Sequence, residues 1–172
     1  MLVKIMKLKH ILIIAILSAI VAMPFLQTKA DTQTVTLKYV IPQVTTFSVS
    51  FPTGYTDIEF HPSGATFTNE PAAGQSAGTS AMTITNTGNV AIKIDASLTA
   101  DLPTGVTEFR LNTTNDYNGG WYWTDANETN VQTIIDSLAM GASQDFWAWS
   151  TGSNVPAGTY TSTQLQLVSS AT

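Results

Sequence analysis

Cysteine is absent from all 172 residues, which excludes disulfides, thiol nucleophiles, Cys-ligated zinc and iron–sulfur clusters. Histidine is nearly absent too. Beyond His10 near the start, only His61 remains. One imidazole cannot supply a three-ligand zinc site, no HExxH surrounds it, and no GxSxG elbow accompanies it for a serine triad. Asp57 and Glu59 alternate as they would on an exposed strand face and do not read as a catalytic pair. No catalytic residue and no cofactor-binding residue is assigned, and the chain reads as something other than an enzyme.

Positive charge is scarce. Of the seven Lys and Arg, Lys4, Lys7, Lys9 and Lys29 fall before residue 31, which leaves Lys38, Lys93 and Arg110 against all twelve acids. Residues 31–172 therefore carry a formal charge of −9. Nucleic acids and anionic membranes are held through basic clusters, so neither is expected as a partner. An acidic surface suits a soluble, self-repelling extracellular protein able to attract cations.

What is present begins with a segment unlike the rest. Three lysines precede an apolar run, Ile11 to Ala22, broken only by Ser18, and Thr28-Lys29-Ala30 closes it with small residues at the first and third positions. A basic start, an apolar stretch and a small-x-small ending are the parts of a secretory signal, so residues 1–30 read as a signal peptide cut near Ala30. A retained anchor is the alternative, because Ile11 to Phe25 approaches spanning length.

Beyond it, apolar side chains recur at every second position, the period of strands with one buried face. Val35, Leu37, Tyr39 and Ile41 share a face over Thr34 to Ile41, as do Phe47, Val49 and Phe51 over Thr45 to Phe51. A weaker strand is expected around Ile58 to Phe60, then a loop from Pro62 to Gly78. Met82 and Ile84 lead through Asn86-Thr87-Gly88-Asn89 into Val90, Ile92, Ile94, Ala96 and Leu98, which predicts a hairpin over Ser80 to Thr99. Further strands are expected at Glu108 to Leu111, Gly120 to Thr124, Gln144 to Ser150 and Thr159 to Val168. Val131, Ile134, Ile135 and Leu138 stand at helical spacing and predict one short helix. The fold class that follows is all-β, an Ig-like or jelly-roll β-sandwich of about eight strands, with residues 43–172 as one domain.

Several constellations invite a site. Asn112 to Asn130 is crowded with oxygen ligands (Asn115, Asp116, Asn118, Asp125, Asn127, Glu128) around Gly119-Gly120, so calcium is a candidate ligand, with Asp116 and Asp125 its carboxylates. Asn112-Thr113-Thr114 and Asn127-Glu128-Thr129 are sequons, making Asn112 and Asn127 candidate glycosylation sites. The tryptophans form two alternating doublets, Trp121 with Trp123 and Trp147 with Trp149, and each doublet shares one strand face. Exposed, they would stack on carbohydrate; buried, they would fill the core. Ala157-Gly158-Thr159-Tyr160 has the form of a tyrosine corner, a structural element.

Together the early alternating strand Thr34 to Ile41, the segment Ile84-Thr85-Asn86-Thr87-Gly88-Asn89-Val90 and the closing Ala157-Gly158-Thr159-Tyr160 resemble the secreted TasA and camelysin-type fibre proteins, to which archaeal bundling pilins are similar. The resemblance implies a pilus or fibre on a prokaryotic cell surface, bacterial or archaeal, built as a head-to-tail homopolymer by donor-strand complementation. Residues 31–42 would be the donor strand, with Val35, Leu37, Tyr39 and Ile41 filling a groove on the next copy. Peptidase activity described for camelysin-type members is not carried over, since no zinc motif is present. Nor does the chain resemble a type IV pilin, because no long apolar helix follows residue 30. The alternative function is a carbohydrate-binding or adhesive surface module. A third reading, an anchored accessory or viral structural domain, follows from an uncut signal.

Overall fold

Alternation of apolar and polar side chains places one face of each segment inward, and nine strands form on that pattern among the described residues. The computed structural model describes residues 36–124 and 130–172. The chain divides into two units, Met1–Val40 and Ile41–Thr172. Of the first, residues 36–40 are exposed and carry no regular structure. The signal segment, Val35, Asp125 and Asn127 lie outside the described residues.

The strands are β1 (Phe47–Ser50), β2 (Phe67–Pro71), β3 (Met82–Asn86), β4 (Ile92–Leu98), β5 (Val106–Asn112), β6 (Trp121–Thr124), β7 (Gln132–Leu138), β8 (Ser143–Gly152) and β9 (Leu165–Ala171). They make two antiparallel sheets, one ordered β1-β3-β8-β5-β6 with β2 also on β8, the other β7-β4-β9. The long β8 organises the first sheet. On one flank β3 pairs with Ser143 to Phe146 and β2 with Trp149 to Gly152, while β5 takes the other flank. Between the sheets lie Met82, Ile84, Ile92, Ile94, Leu111, Trp123 and Phe146, none more than 1% exposed. The all-β sandwich is thus the fold, and among the described residues it contains no helix.

Six local expectations are corrected. The segment over Ser80 to Thr99 is not a hairpin: β3 belongs to the first sheet and β4 to the second, so the chain crosses the core at Thr87–Ala91. Alternation marks which face is buried and is silent on whether two neighbouring strands pair side by side or face each other. The helix expected at Val131 to Leu138 is β7. Its pairing with β4 runs Ile94↔Ile135 and then Ile92↔Leu138, so an extra residue bulges between them and turns a period of two into a helical-looking spacing. β2 lies inside the expected loop, its pairing with β8 broken by a register shift. Finally, residues 36–41 form no strand, Ile58 to Phe60 forms none, and the last strand begins at Leu165, six residues after Thr159.

At the crossing sits Asn86, fully buried. Its Nδ2 donates to the carbonyls of Val90 and Leu138, both at 2.8 Å, and its Oδ1 accepts from the Gly88 N–H at 2.9 Å. Its own N–H donates to Ala142 O, and its C=O accepts from Gly141 N–H, each at 3.0 Å. One amide therefore ties the β3–β4 crossing to the β7–β8 turn. Removing it takes the amide donor from the buried Leu138 carbonyl and from the part-buried Val90 carbonyl, each at about 1–3 kcal/mol when unsatisfied, while the Gly88 N–H keeps its bond to Thr46 O. Asn86→Ala is expected to destabilise the domain by about 2–4 kcal/mol, allowing for some relaxation, as read from the urea midpoint; a change below about 0.5 kcal/mol, the ordinary surface range, would contradict this role.

On the outer face of the second sheet, Asp95 accepts from Lys93 Nζ at 2.9 Å and from Thr133 Oγ1 at 2.6 Å. The Lys93 hydrogen bond, with that from Thr133, holds its carboxyl below the usual carboxylate range, against the opposing effect of burial. A depressed folded-state value contributes stability above the unfolded value of about 3.9, and that stability is lost as pH falls through the folded value. Asp95→Asn should therefore lower the unfolding midpoint slightly at pH 7 and narrow the difference between pH 7 and about pH 2.5. The effect is small because the pair is solvent-screened, and parallel midpoint-versus-pH curves for the two proteins would refute it.

Candidate assembly surface

Residues 36–41 combine exposure with apolar character: Leu37 is 74% exposed, Tyr39 80%, Val40 79% and Ile41 76%. Three of the four assigned donor-strand side chains (Leu37, Tyr39, Ile41) are thus described, and all three face water. Pro42 marks the end of this segment and has no N–H to continue a ladder.

The chain is then seized by the same corner that carries Asn86. Asn89 Nδ2 donates to Pro42 O at 2.9 Å, and its Oδ1 accepts from Val44 N–H at 2.7 Å. The N–H groups of Thr87 and Gly88 both donate to Thr46 O at 3.0 Å, and Asn89 N–H donates to Val44 O at 3.1 Å. The four residues expected to turn a hairpin instead form a clasp on residues 42–46. Gly88 makes the close approach possible, since a Cβ there would stand 2.0 Å from Val44 O. From the clasp the chain enters β1, where Phe47 and Val49 pack half-buried against the core.

The tryptophans divide by face. Trp123 is fully buried and stacks on Phe109 with ring centroids 5.7 Å apart, and Trp121 packs half-buried against the core beside Phe146. Both are core residues and offer no open ring to a sugar. Trp147 and Trp149 point from β8 to the outer face, where Trp147 is half-buried and Trp149 is buried. Trp147 Nε1 donates to Ser76 O at 2.8 Å, and Trp149 is only 6% exposed beneath the edge of Tyr117.

What covers Trp149 is the loop rich in oxygen ligands. Tyr117 lies over the Arg110 guanidinium at 4.6 Å, and Tyr122 sits at 5.1 Å. Arg110 Nε donates to Glu108 Oε1 at 3.0 Å, a contact that raises the Arg110 pKa above its usual value, and Tyr117 OH donates to the same oxygen at 3.1 Å. In this loop Asp116 Oδ1 accepts from Asn118 N–H at 2.8 Å, and Asn112 Nδ2 donates to Asp116 O at 2.7 Å. The polar side chains thus shape a turn that closes over an aromatic face. Asn112 is 9% exposed, and its Nδ2 donates one of its two hydrogens to Asp116 O. Asp125, expected beside Asp116 as a calcium carboxylate, lies outside the described residues, and among the described residues no group of three His, Cys, Asp or Glu could hold a metal.

His61 lies exposed, its Nε2 2.9 Å from Glu59 Oε2. Tyr160 OH donates to Pro156 O at 2.6 Å, the return to backbone expected of a tyrosine corner. No family model matches the chain, and no curated protein or solved structure does either.

The clasp was missed in the sequence because Asn-Thr-Gly-Asn also suits a hairpin turn. Only the demand for partners by Pro42 O and the 44–46 backbone separates the two. Gly88→Ala is expected to force residues 44–46 off the corner, at about 1–3 kcal/mol of overpacking strain, with faster amide exchange at Val44 and Asn89. Unchanged exchange at both amides would show that the clasp does not depend on Gly88.

Proposed function

We propose that this chain is exported and serves as a structural, non-enzymatic subunit of an extracellular filament on a prokaryotic cell, assembled by donor-strand complementation between copies. The observation that carries the reading is the exposure of residues 36–41: apolar side chains alternate at Leu37, Tyr39 and Ile41, yet this stretch forms no strand. A segment patterned for a sheet that forms no strand among the described residues is suited to a sheet edge elsewhere. The clasp supports the same reading, because it ends the body at Pro42 and holds the point from which the segment leaves. Resemblance of the alternating segment and the closing Ala157-Gly158-Thr159-Tyr160 to TasA and camelysin-type fibre proteins agrees with it.

The tryptophan doublets favour no second reading, since three of the rings are built into the core or lie beneath Tyr117, and Trp147 is bonded to the Ser76 backbone.

The test compares the chain beginning at Asp31 with a variant beginning at Pro42, which keeps the whole clasp. Negative-stain electron microscopy should show fibres from the first and folded monomers from the second. Fibres from both samples, or from neither at any salt concentration, would count against donor-strand assembly.

A further inference from the structure

Among the described residues, each sheet edge in this sandwich is blunted except one. β7 carries register shifts and the exposed Asp136. β6 has four residues, and its Tyr122 carbonyl already accepts from Gln132 Nε2 at 2.8 Å. β2 is interrupted by a shift and contains Glu70 and Pro71. β1 has four residues, with Pro52 close behind. β9 has none of these devices: it pairs with β4 at seven successive positions without a shift, and residues 159–172 contain no charge. Natural edges are normally protected by charge, proline, bulges or brevity, because an unprotected edge templates another strand.

The direction of its backbone is set by its ends. Thr99 N–H donates to Gln164 O and Thr172 N–H to Ala91 O, so the even-numbered residues address β4. Leu165, Leu167 and Ser169 therefore direct N–H and C=O outward, and β9 pairs with β4 alone among the described residues. Leu165 and Leu167 reach the core only half-buried, as do Phe47 and Val49 of β1. At one point the two edge regions touch, where Ser169 Oγ donates to Thr45 O. Val168, on the opposite face of β9, is 53% exposed.

We infer that β9 is the acceptor edge and that its occupant is Thr36–Ile41 of a second copy, an inference that rests on the filament reading above. Seven acceptor positions meet a segment of similar length. Alternation sets Leu37, Tyr39 and Ile41 toward Leu165, Leu167, Phe47 and Val49, while Lys38 and Val40 lie outward beside Gln166, Val168 and Ser170. Charge agrees as well. Lys93 and Arg110 are held by Asp95 and Glu108, whereas Lys38 has no ion pair among the described residues and would approach a strongly acidic body.

Cysteine chemistry tests this on a chain that has none of its own. Lys38→Cys is combined in turn with Gln166→Cys, Val168→Cys and Ser170→Cys in the chain beginning at Asp31, and oxidised products are separated without reductant. At least one pair should give a ladder of multimers, since paired strands bring Cα atoms within disulfide reach. Ser169→Pro, which removes an outward N–H from β9 and none facing β4, should reduce pelletable fibre more than tenfold while the domain stays folded by near-ultraviolet circular dichroism. If that variant fails to fold, the cross-linking decides. Fibres that form without any ladder overturn the β9 assignment and leave the filament standing. Absence of both fibres and ladder overturns both. A disulfide within one monomer, or dimers from a β9 cysteine without Cys at position 38, overturns the assignment by naming a different occupant.

Discussion

Asn86 carries more of this architecture than any apolar side chain. A sandwich whose neighbouring strands β3 and β4 lie in opposite sheets must pass polar backbone through its own core, where unsatisfied groups are costly. Asn86 meets that demand with both amide hydrogens and its carbonyl oxygen, and its backbone closes on the β7–β8 turn. A residue of the same size without the amide would fill the space and leave the carbonyls of Val90 and Leu138 without partners. The placement of the second sheet, the turn into β8 and the Asn89 clasp all follow within a few residues of this one side chain.

Face assignment was readable from the sequence wherever alternation was regular. β1, β5, β6 and β8 fall within or overlap the segments expected at Thr45 to Phe51, Glu108 to Leu111, Gly120 to Thr124 and Gln144 to Ser150. Pairing was not readable, because period two looks the same for a hairpin and for two strands facing across a core; the β3–β4 crossing is the case in point. The bulge in β7 shows a second limit. Ile134 and Ile135 are both buried, which no regular strand allows, and the spacing therefore imitates a helix.

The candidate site was half legible. The apolar alternation of Leu37, Tyr39 and Ile41 stood out, but whether a stretch pairs within its own subunit depends on edges that composition does not reveal. Which of the two roles open to the tryptophans applies was not legible for a related reason. Alternation correctly put each doublet on one face, yet the cover over Trp149 comes from Tyr117, whose position is set by Arg110 and Glu108 through side-chain contacts. Asn, Asp and Gly serve turns and cations alike, so the sequence of the oxygen-rich loop admits both; in the structure Asp116 caps the Asn118 N–H within the turn.

Energy terms for a strand added to β9 are closely balanced. Ordering residues 36–41 costs about 1–2 kcal/mol each in backbone entropy. Against this, Leu37, Tyr39 and Ile41 return about 1.5–3 kcal/mol each on burial, and each ladder hydrogen bond about 0.5–1.5 kcal/mol net. A contact of this kind is reversible, so growth depends on concentration and on how little freedom the donor loses on docking. The clasp bears on that last quantity: Asn89 holds Pro42 and Val44, and Thr45 touches Ser169 of β9 in the same subunit. Pro42, where the proposed donor segment leaves, and β9, the proposed acceptor edge, therefore lie on one flank of the body. Each copy would give and receive at neighbouring places, and a head-to-tail contact of that kind propagates as an open chain unless its rotation happens to close.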